Sequence, residues 1–364
     1  MQALILAGGE GTRLRPLTLT TPKPAIQLVD RPLLRFMIDW VEGHGIDEVV
    51  IASGFGGDVL RDALDDGGRD GPHITYLEEP EPLGTGGPLR LAAERDVLGE
   101  RFLVLNGDLL ADLDLSALMS SHADTGAVAT LALYPVDDPS AYGLVRTNAA
   151  GEVLEFAEKP DPGNIDTSEI SAGAYVLERN VVDLIPQGRM VSIEREVFPR
   201  LVGHGLYGHG LDGYWMDIGT PERYLRASWD ILEGRVRTEA GSRLDSAGLL
   251  VEDGRGVDPA ATVLPPALLE ADARVEAEAT VGARAVVGRG SRVGEGAVLS
   301  SAVVLAGSVI GSGATLNDSI VAPGAEIGEG ARIGPDAVIG EGARVDAGAE
   351  LGRGTRLAPG ELVS

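Results

Sequence analysis

Two rhythms of apolar and polar positions divide this sequence. From the start to about residue 230, short apolar runs alternate with amphipathic stretches. Gln2 to Leu6 reads as a buried strand running into Gly8-Gly9-Glu10-Gly11, and Glu48-Val49-Val50-Ile51-Ala52 as a second. His73 to Leu77 and Phe102-Leu103-Val104-Leu105 predict two more strands, followed by others around Ala127 to Leu133, Glu152 to Glu158 and Ser171 to Leu177. Helices are expected over Pro32 to His44 and Pro88 to Asp96. A further one follows Thr220-Pro221-Glu222, where threonine can cap and the fixed φ of proline suits the first turn. Such alternation predicts an α/β domain of Rossmann-like type with a mostly parallel sheet. Ligands of such sheets bind at the carboxyl ends of the strands.

Beyond about residue 260 the period becomes six. Apolar residues recur at Val275, Val281, Val287, Val293 and Leu299, then from Val304 through Ile310, Leu316, Val321, Ile327, Ile333, Ile339, Val345 and Leu351 to Leu357. Two steps, Leu299 to Val304 and Leu316 to Val321, are five residues long. A six-residue period with small residues at corners predicts a left-handed parallel β-helix of hexapeptide repeats, each side of the triangular coil contributing one inward apolar side chain. An amphipathic helix does not fit, because six is not a multiple of 3.6 and glycine saturates the segment. The organisation expected is an α/β domain over 1–235, a linker over 236–260 and the β-helix over 261–364.

Repeats of this kind serve acyl transfer or act as scaffold and assembly surface. The acyl-transfer version needs a histidine base, and all five histidines (His44, His73, His122, His204, His209) precede the repeats, which also contain no lysine. The repeats are therefore read as a scaffold through which the chain forms a homo-oligomer.

Composition narrows the partners. A formal charge of −26 argues against nucleic acid or an anionic membrane, both of which need a basic patch. An anionic small substrate remains open, since a few local cations and a divalent metal can hold phosphates inside an acidic protein. With no cysteine there are no disulfides or thiolate metal sites. The apolar run Ala3-Leu4-Ile5-Leu6-Ala7 is too short for a signal peptide and no stretch approaches a membrane span, so a cytoplasmic protein is expected. Only two of the 30 basic residues counted as lysine or arginine are lysines, Lys23 in Pro22-Lys23-Pro24 and Lys159 in Glu158-Lys159-Pro160. A compact ammonium differs from a guanidinium fork, which makes both lysines candidates for a point charge on phosphate.

The stretch Leu6-Ala7-Gly8-Gly9-Glu10-Gly11-Thr12-Arg13-Leu14-Arg15-Pro16-Leu17-Thr18 places a glycine loop at a strand end, where backbone N–H groups can approach phosphates and Arg13 adds a charged fork. It is not a Walker A loop, which needs Gly-Lys-Ser/Thr. It is not a dinucleotide fingerprint either, which would need glycine in place of Leu14 and an immediate helix. Taken alone, the glycines could form a mere tight turn, Asn106-Gly107-Asp108 is a common turn sequence, and Asp217 could be a helix-start acid.

Taken together, Gly-Gly-x-Gly-Thr-Arg-Leu-Arg-Pro-Leu-Thr followed by Pro-Lys-Pro resembles the signature of the sugar-1-phosphate nucleotidyltransferases, the nucleotide-sugar pyrophosphorylases. Further blocks follow in that family's order: Leu83-Gly84-Thr85-Gly86-Gly87, Asn106-Gly107-Asp108, Tyr142-Gly143, Glu158-Lys159-Pro160, Ser171-Ala172-Gly173-Ala174-Tyr175 and Trp215-Met216-Asp217-Ile218-Gly219-Thr220-Pro221. Within the family the chain most resembles bacterial GDP-mannose pyrophosphorylases, through Ser192-Ile193-Glu194-Arg195-Glu196-Val197-Phe198-Pro199 and the interrupted hexapeptide tail.

The resemblance implies an enzyme that joins an NTP, GTP first among them, to mannose 1-phosphate with release of pyrophosphate. It implies nucleotide contacts at Leu6, Ala7, Gly8, Gly9, Gly11, Thr12, Arg13, Lys23, Gly84, Thr85, Asn106 and Asp108. Glu79 falls where base contacts occur in relatives, although it could be a surface glutamate. Sugar-phosphate contacts are implied at Gly143, Glu158, Lys159, Ser171 and Gly173. Asp108 and Asp217 would hold Mg²⁺, and Arg13, Lys23, Asp108 and Lys159 would carry the chemistry. A sugar 1-phosphate is already ionised, so this reaction needs no general base, in agreement with motifs free of histidine. Two positions depart from the family pattern: Gly86 stands where alanine is frequent, and Ser171 where asparagine is. The second leaves room for glucose 1-phosphate or a sugar-like cyclitol phosphate. Regulatory relatives lose catalytic residues and become assembly subunits, but Arg13, Lys23, Asp108, Lys159 and Asp217 are all present here.

Overall fold

The structure is a computed structural model that describes residues 1–54, 56–64, 71–161, 163 and 165–364. It packs as two units. Residues 1–9 and 37–215 make the first, and residues 10–36 and 216–364 the second.

The first unit is built on a nine-stranded sheet. In chain order its elements are β1 (Gln2–Leu6), α1 (Leu33–Glu42, which begins in the second unit), β2 (Glu48–Ser53), α2 (Gly57–Leu64), β3 (His73–Glu78), α3 (Gly87–Glu94) and β4 (Arg101–Asn106). They continue with α4 (Leu115–Thr125), β5 (Ala129–Pro135), β6 (Gly143–Thr147), β7 (Val153–Glu158), β8 (Glu169–Glu178) and β9 (Leu206–Gly210). The path runs β7-β6-β8-β4-β1-β2-β3, with β5 on β8 and β9 on β5. Strands β4, β1, β2 and β3 are mutually parallel, as the apolar runs predict. The remainder departs from a uniformly parallel pattern, because β8 runs antiparallel to β4 and β5, and β7 pairs antiparallel with β6.

Apolar side chains on both faces hold this sheet. Leu4, Val50, Phe102, Val104, Leu131, Tyr175 and Phe198 share one core cluster. Each such side chain contributes roughly 1.5–3 kcal/mol when fully buried. The helix α4 is bounded as its sequence dictates, with the Asp114 carboxylate accepting from the Ala117 N–H (3.0 Å) and Gly126 ending it in the left-handed region.

In the second unit, three parallel sheets of two- and three-residue strands form a three-sided β-helix. Val263 pairs with Val281 and Val281 with Leu299, eighteen residues apart each time. The next two partners, Leu316 and Ile333, follow at seventeen, and Leu351 returns to eighteen. The two five-residue steps of the sequence are therefore two shortened corners. Ser301 and Asp318 take left-handed φ values of 50° and 41° there, after strands of three residues instead of two. Val281, Val287, Val293, Leu299, Val304 and their successors through Val345 point inward and are buried, as is Leu357, while Leu351 is partly buried. The pairing begins before residue 261, since Leu249–Val251 is parallel to Ala267–Leu269.

The helix α5 (Pro221–Leu232) belongs to this unit and is capped by the Thr220 hydroxyl. Along its length Glu222 pairs with Arg356 (3.2 Å), the Trp229 indole N–H donates to the Ser301 carbonyl (3.2 Å), and Glu233, just past its end, pairs with Arg284. Residues Gln27–Leu28 and Arg31–Pro32 form a small hairpin. Its turn places Val29, a fully buried β-branched residue, at φ 60°. That conformation costs of order 1–3 kcal/mol for a non-glycine residue and persists only where the surroundings impose it.

Candidate active site

The residues singled out from the sequence fall into two clusters, one in each unit. In the first unit, β1 ends at Leu6, whose carbonyl accepts the Gly107 N–H (2.9 Å), and the Ala7 N–H bonds the Ala52 carbonyl (2.7 Å). Leu6 lies beside Asn106 in register, so the glycine loop and the Asn106-Gly107-Asp108 turn leave neighbouring strands side by side. Gly107 is required there, because a Cβ would sit 2.4 Å from the Leu6 carbonyl oxygen. Gly8 faces Glu79, which is 8% exposed and accepts the Leu83 N–H (3.1 Å). Burial pushes the Glu79 carboxyl above its ordinary pKa, against the pull of that N–H. The surface-glutamate reading of Glu79 is thereby excluded.

The second loop is pinned to the 190s. The Val191 carbonyl accepts the Gly86 N–H (2.8 Å), and the Thr85 hydroxyl donates to Glu194 (2.6 Å) while accepting the Ile193 N–H (3.0 Å). Gly84 packs on the Val191 carbonyl.

Glu158 and Gly143 are register partners on β7 and β6, and the Lys159 N–H donates to the Tyr142 carbonyl (3.0 Å). The Tyr-Gly and Glu-Lys-Pro motifs, fifteen residues apart, thus form one corner. Lys159 stands at φ 51° immediately before a proline, with its ammonium 3.9 Å from Glu158 and its side chain 59% exposed. A residue preceding proline is normally extended, so this backbone is strained at a candidate functional position.

Ser171 opens the irregularity in β8, which ends at Tyr175, and Gly173 lies within it, facing the Asn106 side chain. Burial drives the Tyr175 phenol well above its ordinary pKa, and the negative field of Glu194 and Glu158 adds to this, while hydrogen bonding with Ser171 and Asn106 opposes it. Burial, then the neighbouring Glu194, also raises the Glu158 carboxyl, with Lys159 and Arg195 acting the other way. Asn106, Gly143, Glu158, Lys159, Ser171 and Gly173 therefore share one acidic and amide-lined neighbourhood. Trp215 seals one side, donating to the Ala172 carbonyl (2.7 Å) with its ring 5.3 Å from Tyr142 and 5.7 Å from Tyr134.

The second unit carries Gly11, Thr12, Arg13, Lys23 and Asp217. Gly11 has φ 60°, its carbonyl accepts the Thr18 hydroxyl (2.8 Å), and a Cβ would meet Thr18 at 2.8 Å. Thr12 and Arg13 follow in a single 3-10 turn. Asp217, whose side chain is 14% exposed, lies 3.0 Å from Arg223, 3.8 Å from Lys23 and 3.9 Å from Arg13. Lys23 is buried, its stem lying among Leu14, Ile26, Leu28, Leu33, Ile218 and Tyr224. One carboxylate thus gathers three cations, a concentration of positive charge suited to a polyphosphate in a chain of net charge −26.

Metal binding is judged from the donor chemistry. Among the described residues no group of three histidine, cysteine or acidic side chains converges. Mg²⁺ typically uses one or two carboxylates and completes its shell with phosphate oxygens and water, so the hard carboxylates of Asp108 and Asp217 fit it individually.

Comparison with known proteins finds relatives of both parts of the chain. Residues 2–234 match the family described as nucleotidyl transferase, and residues 263–359 match the GMPPB C-terminal domain. The chain belongs to the nucleotidyl transferase family. Mannose-1-phosphate guanylyltransferase of Mycobacterium tuberculosis is 40% identical over 268 residues, 72% of this chain and 73% of that protein. Mannose-1-phosphate guanylyltransferase 1 of Arabidopsis thaliana is 38% identical over 72% of this chain and 73% of its own. Among solved structures, HddC from Yersinia pseudotuberculosis is 28% identical with a TM-score of 0.54, covering 62% of this chain and 97% of that one. It has also been solved in complex with GMP-PN.

As a nucleotidyl transferase, the chain carries contacts that single motifs did not reveal. Arg223 is the nearest of the three cations to Asp217, and the Thr-Pro-Glu helix start was the only hint of it. Glu194 ties Thr85 and Ser192 together and faces both Glu158 and Tyr175. It lay within a recognised block with nothing to separate it from Glu196.

Proposed function

We propose that this chain transfers a guanylyl group from GTP to mannose 1-phosphate, giving GDP-mannose and pyrophosphate. The observation that carries the reading is the identity of 36–40% to mannose-1-phosphate guanylyltransferases of a bacterium, plants and yeasts, in alignments that span more than two thirds of both chains. An anionic phosphate oxygen of mannose 1-phosphate attacks the α-phosphorus of GTP, and the bond from that phosphorus to the β-phosphate bridging oxygen breaks. The nucleophile is already ionised, so catalysis amounts to alignment and neutralisation of the departing pyrophosphate.

In this assignment Arg13 and Lys23 hold the triphosphate, and the loop backbone at Leu6, Ala7, Gly8, Gly9, Gly11 and Thr12 approaches it, with Gly84, Thr85 and Asn106. Lys159 holds the sugar phosphate, while Glu158, Ser171 and the backbone of Gly143 and Gly173 take the sugar hydroxyls. Asp108 and Asp217 would hold Mg²⁺, which supplies charge neutralisation between phosphate oxygens. We assign the chemistry to residues 1–235 and the repeats to 261–364, joined by residues 236–260, whose strand Leu249–Val251 already pairs with the first coil. A cytoplasmic setting and self-association through the repeats complete the proposal. Light scattering over a range of concentrations tests the latter, and a monomer mass throughout removes it.

Incubation with Mg²⁺, each NTP in turn and a panel of sugar 1-phosphates tests the reaction. Pyrophosphate release with GTP and mannose 1-phosphate is expected, and its absence in every combination refutes the assignment. The base assignment has its own test. Glu79 is buried beside the glycine loop, where a carboxylate can accept from guanine N1 and N2. Glu79→Gln is expected to lower the preference for GTP over ATP by roughly tenfold or more, the usual cost of a lost charged hydrogen bond. An unchanged ratio removes Glu79 from base recognition.

A further inference from the structure

Lys23 opens a single 3-10 turn whose hydrogen bonds run from the Ala25 N–H to the Pro22 carbonyl (2.8 Å) and from the Ile26 N–H to the Lys23 carbonyl (3.2 Å). The placement of Lys23 therefore depends on what fixes the residues just after it. Gln27 is held from three directions. Its carbonyl accepts the buried Tyr224 hydroxyl (2.6 Å), its side-chain amide donates to the Val29 carbonyl (3.0 Å), and the same amide donates to the Glu270 carboxylate (2.9 Å). Glu270 follows the β-helix strand Ala267–Leu269 and is 6% exposed. Three residues beyond Gln27, Asp30 is gripped by Arg31 (3.0 Å) and by Arg243 (2.8 Å).

The repeat itself asks for less than this. Glu270 also accepts the Arg289 N–H (2.9 Å) at the coil corner, and Glu252 and Glu276 accept the Ala271 and Glu295 N–H groups in the same way, nineteen residues ahead in each case. At the corresponding corner of the following coils stand Gly288, Leu305, Ala322 and Gly340, as the strand register dictates. A glutamate at this corner is thus dispensable to later coils, and the bond to Gln27, 243 residues away, is what Glu270 adds.

We propose that Glu270 is a positioning residue for nucleotide use: by anchoring Gln27 it makes the β-helix the fixed support of the Pro22-Lys23-Pro24 turn. This rests on the assignment of Lys23 to the triphosphate. The repeats then serve the reaction within a single chain, whatever they contribute to assembly.

The test uses the full chain carrying Glu270→Ala, Glu270→Gln, Gln27→Met and the Gln27→Met/Glu270→Ala pair, read by steady-state kinetics and by hydrogen exchange at Ala25 and Ile26. Glu270→Ala and Gln27→Met should each raise KM for GTP by about tenfold, the scale of one charged hydrogen bond. KM for mannose 1-phosphate should stay within about twofold, and exchange at Ala25 and Ile26 should quicken. Glu270→Gln keeps an acceptor and should behave as wild type. The pair should be no worse in KM than Glu270→Ala alone, since both changes break one bond. A merely structural corner, in which only the Arg289 N–H needs the acceptor, would instead show Glu270→Ala impaired and Gln27→Met not, or KM effects that multiply, or exchange at Ala25 and Ile26 that does not change. Each of those outcomes overturns the proposal. If wild-type protein turns over no GTP with mannose 1-phosphate, the functional reading fails, and the exchange rates still decide whether Glu270 braces the turn.

Discussion

Lys159→Arg is expected to lower kcat/KM for mannose 1-phosphate by about 10²–10³-fold, a loss of roughly 2.7–4 kcal/mol in transition-state stabilisation. GTP affinity measured by titration should change less than about twofold. The reason is geometric. Lys159 leaves its strand in a left-handed conformation, tied by its N–H to Tyr142 and locked on the other side by Pro160. Its ammonium reaches the vicinity of Glu158 as a single rotatable charge. Guanidinium is larger and planar, and it would make a bidentate fork with Glu158 in place of a point contact with phosphate. The chain uses arginine for all but two of its basic side chains, so arginine at this position would be unremarkable if charge alone mattered. A variant with wild-type kcat and KM would refute the point-charge argument.

Asp217→Asn has the second large effect. The carboxylate stands within 4 Å of Arg13, Lys23 and Arg223, and its removal leaves three like charges facing one another. The half-saturating Mg²⁺ concentration should rise by about tenfold and kcat should fall by about 10²-fold, in line with the loss of one charged ligand at a phosphoryl-transfer centre. Stability should fall as well. Solvent screens Arg13 and Arg223, which are 61% and 34% exposed, but Lys23 is 9% exposed and loses a carboxylate 3.8 Å away, a cost of order 1–3 kcal/mol. Calorimetry in the absence of nucleotide separates the two effects. An Mg²⁺ dependence identical to wild type would take Asp217 out of the metal assignment and leave it as an organiser of cations.

The β-helix was legible because its period is imposed by stacking. Each coil must present an inward apolar side chain at the same place, and even the two five-residue steps were visible as the shortened corners after Leu299 and Leu316. The parallel strands β1, β2 and β4 were equally plain, since strands buried on both faces become continuous apolar runs. Strand β6 escaped notice because Gly143-Leu144-Val145-Arg146-Thr147 has too few apolar positions to stand out, and only its partners define it. The clusters followed the same logic. Arg13, Lys23 and Asp217 come from short motifs, whereas Arg223, Glu194 and the Gln27–Glu270 bond depend on contacts between distant parts of the chain. No local pattern marks a glutamine 243 residues from its partner, nor a valine held at φ 60° by the hairpin around it.

The contacts along α5 have a consequence for the length of the repeat array. Val286, Val303, Ile320, Val338 and Arg356 are successive partners in one sheet, so four coil-to-coil steps separate the level of Arg284 from that of Arg356. At about 4.8 Å per step this is ~19 Å. Helix α5 has twelve residues, or about 18 Å, and meets Arg356 at one end and Arg284 beyond the other. The helix is a ruler laid against the coils. Repeat proteins commonly gain and lose units with little penalty, but gain or loss of one coil between these marks would miss the ruler by a full step. In this stretch the number of coils is set by the length of a helix.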